Sequence, residues 1–202
     1  MIICLPLDTD NKETSEQYHA LIDFLVSKSD SFSVALEEYS NEYISEYNYD
    51  MFDFLGKNIN NIGEKVDFND NEKEADEHYF KHCEPFLNRL KPYIIEEFCT
   101  TNVYGYITHA VKHVKRIELN EETVKVLHEF SSLSDWGRTA ENEGYPGDLC
   151  FHKDGKLVFS CFSGDVNGEV YTNKRTDCKT LKNIWGKVLI KNLPIKKRTP
   201  ID

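Results

Sequence analysis

The chain has 202 residues and a mass of 23.5 kDa, and its 40% hydrophobic and 12% aromatic content is enough to offset the entropy of ordering a core. That excludes wholesale disorder despite a net charge of −11, and a pI of about 5.1 disfavours direct contact with nucleic acid, whose phosphates it would repel. No apolar run approaches the ~18 residues of a membrane span, the start Met1-Ile2-Ile3-Cys4-Leu5-Pro6 lacks a basic leader, and cysteines 4, 83, 99, 150, 161 and 178 form no Cys-x-x-Cys pair. A soluble cytoplasmic protein with reduced thiols is therefore expected.

The first helix is predicted over residues 15–27, where Tyr18, Leu21, Ile22 and Leu25 recur at spacings of three and four and Thr14 or Ser15 can cap the start. A second is predicted over 33–55 from Leu36, Tyr39, Tyr43, Ile44, Tyr47 and Phe54, with Glu37, Glu38, Glu42 and Glu46 as an acidic stripe on another side. Asn58, Asn60, Asn61, Gly63, Asn69 and Asp70 interrupt the pattern, so 56–71 reads as an exposed loop. A third helix over 72–98 follows from Tyr79, Phe80, Phe86, Leu87, Leu90, Ile94 and Ile95, kinked or split where Pro85 and Pro92 remove an N–H.

The second half changes character. Val103, Tyr104, Tyr106, Ile107, Val111, Val114, Ile117 and Leu119 predict one or two strands, with a helix over 108–116 as the alternative. Asn120 reads as the cap of a short amphipathic helix, whose first-turn Glu121 and Glu122 favour its dipole. The clearest local signal lies over 148–162, where two apolar runs flank Asp154-Gly155, a dipeptide suited to the positive φ angles of a type I′ hairpin turn. Residues 168–172 are predicted to extend that hairpin by a third strand. Residues 174–198 hold nine Lys or Arg against Asp177 alone; Leu181, Ile184, Trp185, Val188 and Leu189 predict a helix with a basic tail beyond it.

Charge is divided between the halves. Residues 1–101 carry 22 acidic and 8 basic side chains, whereas 102–202 carry 13 and 16. A field so biased attracts a cationic partner, and tyrosines 39, 43, 47 and 49 among the carboxylates, Asp50 and Asp53 included, resemble interface anchors. The basic end is read as folding back on the acidic helices, although Trp185 among lysines would also suit nucleic acid.

Catalytic patterns are sparse. His78 with His82, and His109 with His113, have the i, i+4 spacing that lets two imidazoles share a Zn²⁺ on a helix, with Cys83, Glu74 or Glu77 as further ligands. Lys81 stands between the first pair and no His-Glu-x-x-His base is present, so no metal is assigned. Cys150 and His152 share a strand face without an identifiable orienting group or oxyanion donor, so no catalytic residue is assigned. Phosphate-binding glycine loops and a Gly-x-Ser-x-Gly elbow are absent, and no cofactor is expected.

Trp136-Gly137, Tyr145-Pro146-Gly147-Asp148-Leu149-Cys150-Phe151 and Lys153-Asp154-Gly155-Lys156-Leu157 together resemble a pattern in small, poorly characterised bacterial proteins. In those, a Trp precedes a Tyr-Pro-Glu-Asp-Leu-like turn and a hairpin; here Gly147 replaces the acidic residue, and no His-Glu follows the second strand. The resemblance implies an immunity partner of a bacterial toxin or a sporulation-related protein, and implies no catalytic residue. Without any functional role, Pro146 would fix the turn, Asp148 would accept backbone hydrogen bonds and Trp136 would cover the hairpin.

These readings converge on a single α+β domain over 1–202, in which N-terminal helices (about 1–100) pack on a small, mainly antiparallel sheet from the C-terminal half (about 101–202). The expected function is an acidic cytoplasmic protein-binding module, specifically an immunity protein that occludes a basic toxin such as a nuclease. Its partner-binding residues would be Glu37, Glu38, Glu42, Tyr43, Glu46 and Asp50, without metal, membrane or direct nucleic acid. Two alternatives stay open: a metal-assisted or cysteine hydrolase, and a sporulation or stress-related interaction protein.

Overall fold

The computed structural model describes residues 1–7, 13–38, 70–103, 106–137, 145–161 and 167–191. Helix α1 (Ser15–Val26) forms as its spacing dictates: Tyr18, Leu21, Ile22 and Leu25 are buried, and Thr14 closes a capping box by accepting from the Gln17 N–H at 3.2 Å. Helix α2 (Asp70–Leu90) buries Tyr79, Cys83, Phe86, Leu87 and Leu90 along one stripe. It runs through Pro85 and stops at a 3-10 turn, Lys91–Tyr93, containing Pro92. Helix α3 (Glu121–Leu127) starts at Asn120, whose side chain accepts from the N–H groups of Glu122 and Thr123 at 3.0 and 3.1 Å. Helix α4 (Arg175–Trp185) ends at Gly186, whose φ of 80° favours glycine. Among the described residues no helix is long and apolar enough to cross a membrane.

The sheet is larger than expected and draws on both halves of the chain. Among the described residues it has eight strands, β1 (Ile2–Pro6), β2 (Ser31–Glu38), β3 (Ile94–Val103), β4 (Tyr106–Glu118), β5 (Gly147–Lys153), β6 (Lys156–Cys161), β7 (Asn167–Tyr171) and β8 (Leu189–Lys191). Their order is β3-β4-β2-β5-β6-β7-β1-β8, with every neighbouring pair antiparallel. The fold is thus α+β with a large antiparallel sheet, to which the first half contributes β1, β2 and β3.

Three sequence expectations are corrected. The predicted helix from residue 33 is strand β2 as far as Glu38, because Phe32, Val34 and Leu36 alternate with Ser31, Ser33, Ala35 and Glu37 at the period of a pleat. The rest of that segment lies outside the described residues. The helix expected to reach 98 ends at Leu90; around Pro92, which has no N–H to continue the ladder, the chain tightens into the 3-10 turn, and β-branched Ile94 and Ile95 open β3 instead. Leu189 belongs to β8, not to the C-terminal helix, which Gly186 has already terminated. The hairpin reading holds: Asp154 and Gly155 have φ of 51° and 74°, both positive as a type I′ turn requires, between β5 and β6.

Register divides the sheet into two chemically distinct faces. Ile117, Phe32, Phe151, Phe159, Val170 and Ile3 pair in succession across six strands, forming one apolar row. This row joins the core residues of α1 and α2, with Leu127 of α3 and Leu181 of α4, in one buried cluster. Trp136 stacks on Phe130 at a centroid distance of 4.1 Å and donates from Nε1 to the Tyr18 hydroxyl at 3.1 Å. Tyr18 in turn donates to the Leu127 carbonyl at 3.0 Å, which satisfies the buried phenol.

Candidate functional site

One residue out of step with the apolar row, the opposite face of the sheet is polar. Arg116, Ser33, Cys150, Ser160, Glu169 and Cys4 pair in succession across β4, β2, β5, β6, β7 and β1. All except Arg116 are buried. Alternation with period two makes this inevitable: a strand that sends Phe32 and Val34 to one face must send Ser33 to the other.

At one side of the row lies a charged triad. Lys112 is 3% exposed, and its ammonium lies 2.8 Å from Glu37 Oε1 and also contacts the Asp148 carboxylate. Glu37 and Lys112 are cross-strand partners, whereas Asp148 arrives through an irregularity in the β2–β5 register between Ser33 and Ala35. Asp148 has φ of 53°, which an aspartate tolerates better than most residues, and bulges of this kind redirect a side chain. Burial by itself lowers the Lys112 pKa, but the Asp148 and Glu37 carboxylates more than reverse this and hold it above the ordinary lysine value. The ammonium therefore remains charged and firmly held.

Further along, Ser33 Oγ lies 3.0 Å from His152 Nε2. Burial, and secondarily the charge of Arg116, push the His152 pKa down to about 3, so the ring is neutral at physiological pH. Cys150 shares the His152 face as expected, but its thiol is enclosed, and burial followed by the Asp148 charge pushes its pKa well above the usual value. A protonated, enclosed thiol beside a weakly basic imidazole is not an activated nucleophile. At the other end, Tyr171 donates to Glu169 Oε2 at 2.8 Å and Lys191 to Glu169 Oε1 at 3.2 Å.

The proposed partner-binding residues separate. Glu37 is buried in the triad, and Glu38 is half-buried with Oε2 at 2.6 Å from His113 Nε2, so β4 engages both carboxylates that were expected on an outward helical stripe. Glu42, Tyr43, Glu46 and Asp50 lie outside the described residues. His78 and His82 are exposed on α2 at the anticipated spacing. His109 and His113 lie on strand β4, where four residues span about 13 Å, and not on the helical turn that the i, i+4 spacing presumes. Among the described residues, no group of three His, Cys, Asp or Glu side chains is placed to hold a metal.

Sequence reasoning missed the Lys112–Asp148 pairing. The available signal was a lysine at the centre of an apolar strand pattern, between Val111 and Val114. Fold and site define an antiparallel α+β protein with a buried polar sheet face. Comparisons with protein-family models, curated proteins and solved structures found no match.

Proposed function

We propose that this chain is a cytoplasmic protein-binding module for a basic partner, and specifically an immunity protein that occludes the cationic cleft of a bacterial toxin such as a nuclease. The observation carrying this reading is the net charge of −11, which internal pairing does not cancel. Each ion pair takes one cation with at least one carboxylate, and Lys112 takes two. Exposed carboxylates are present on α1 at Glu16 and Asp23 and on α2 at Glu74, Glu77 and Glu84. A negative field of this kind acts mainly on encounter rate and partner choice.

The test pairs the protein with a basic nuclease toxin, sought first among the products of genes beside its own. Replacing Glu42 and Glu46 by Gln and Asp50 by Asn should slow association by roughly tenfold at low salt, with little effect in about 1 M salt, where the Debye length is ~3 Å. An unchanged association rate at low salt would remove the mechanism. Glu37→Gln should act differently, lowering stability through Lys112 rather than slowing encounter.

A further inference from the structure

On the helix side of the sheet, three neighbouring strands bring together a thiol, an imidazole and a carboxylate. His113 of β4 pairs with Cys99 of β3 on one flank and with Leu36 of β2 on the other, so all three side chains share one face. Glu38 lies two residues beyond Leu36 and therefore returns to that face, diagonally beside His113. Cys99 Sγ lies 3.2 Å from His113 Nδ1, and His113 Nε2 lies 2.6 Å from Glu38 Oε2. The Phe80 ring of α2 meets the imidazole edge-on at 5.6 Å and walls one side.

These contacts assign the imidazole's roles. With Nε2–H donated to the Glu38 carboxylate, the neutral ring presents Nδ1 as an acceptor to the thiol, the order nucleophile, base, orienting acid. The His113 side chain is 35% exposed and Cys99 is partly exposed, whereas Cys4, Cys83, Cys150 and Cys161 are buried. Burial and then the Glu38 charge raise the Cys99 pKa, so the resting sulfur is a thiol that needs a base in order to react.

We propose that Cys99 is a base-assisted nucleophile toward ester and thioester acyl groups, with His113 as the base and Glu38 as its positioning residue. As Sγ bonds to the acyl carbonyl carbon, the thiol proton passes to His113 Nδ1. The alcohol or thiol then leaves with that proton, and the acyl group remains on Cys99 as a thioester. Water attacks next, giving its proton to Nδ1, and Sγ departs as the free acid forms; Nδ1 then returns the proton to sulfur. The site goes beyond the partner-binding reading, and either can fail without the other.

The probe is p-nitrophenyl acetate with the full-length chain, monitored by nitrophenol release and by peptide mapping of the acetylated thiol. Cys178, the other partly exposed cysteine, is an internal control. Acetylation should favour Cys99 over Cys178 by at least tenfold in the unaltered protein. His113→Ala should slow it about 100-fold, with partial recovery on adding imidazole. Glu38→Gln should slow it roughly tenfold, and Glu38→Asp should restore part of the loss. Equal acetylation of Cys99 and Cys178 would overturn the proposal, and that comparison requires no variant to fold. An unchanged rate in folded His113→Ala would overturn it as well.

Discussion

Acidification should expose the buried His152. The unfolded chain takes up a proton at this side chain near its ordinary pKa of 6.5, while the folded site resists until about 3, because burial and then Arg116 disfavour the imidazolium. Below pH 6.5 the unfolded state therefore binds more protons, and stability falls as pH drops from 6.5 towards 3. Linkage across that gap gives a loss of about 2 kcal/mol between pH 7 and pH 5 from this residue alone. Urea unfolding at the two pH values, followed by tryptophan fluorescence, would measure the total change. His152→Gln supplies the reference, since its amide can still hydrogen-bond Ser33 and does not titrate. Other groups contribute alike to both proteins, so wild type should lose about 2 kcal/mol more than the variant. Equal losses would show that His152 does not resist protonation, and the account of this face as buried and polar would fail.

Two further outcomes follow from the packing. Lys112→Met should lower unfolding free energy in urea by about 3–5 kcal/mol, because it strands two buried carboxylates. Adding Glu37→Gln and Asp148→Asn should recover much of that loss; if the triple variant is no better than Lys112→Met, charge is not the cause. Gly168→Ala would place a methyl 2.9 Å from Cε2 of the fully buried Phe159, so it should cost about 1–3 kcal/mol in the same assay. A neutral result there would mean that the Phe159 ring yields freely.

Local chemistry was legible wherever it alone decides structure. The caps at Thr14 and Asn120, the apolar stripe of α1 and the Asp154-Gly155 turn depend on neighbours in sequence, and all were readable there. Strand β2 is hard to read because Leu36 and the tyrosines after it fit a helical period, while the competing alternation of Phe32, Val34 and Leu36 begins just upstream. Long-range pairings were harder still. Glu37 meets Lys112 across 75 positions, and the Asp148 contact depends on a bulge that no composition announces. Cys99 can be linked to His113 only once 94–103 and 106–118 are both recognised as strands of one hairpin, and the apolar spacing over 94–98 continues that of the preceding helix.

Strand β1 lies between β7 and β8, although both are encoded far downstream of it. On a ribosome adding ~5–20 residues per second, Ile2 to Pro6 would wait on the order of ten seconds or more before Asn167–Tyr171 is even translated. In that interval the nascent Ile2-Ile3-Cys4-Leu5 segment is an unmatched apolar ribbon, suited to chaperone capture or to pairing with another nascent copy. Expression yield should therefore respond to translation speed and to whatever shields this segment during synthesis.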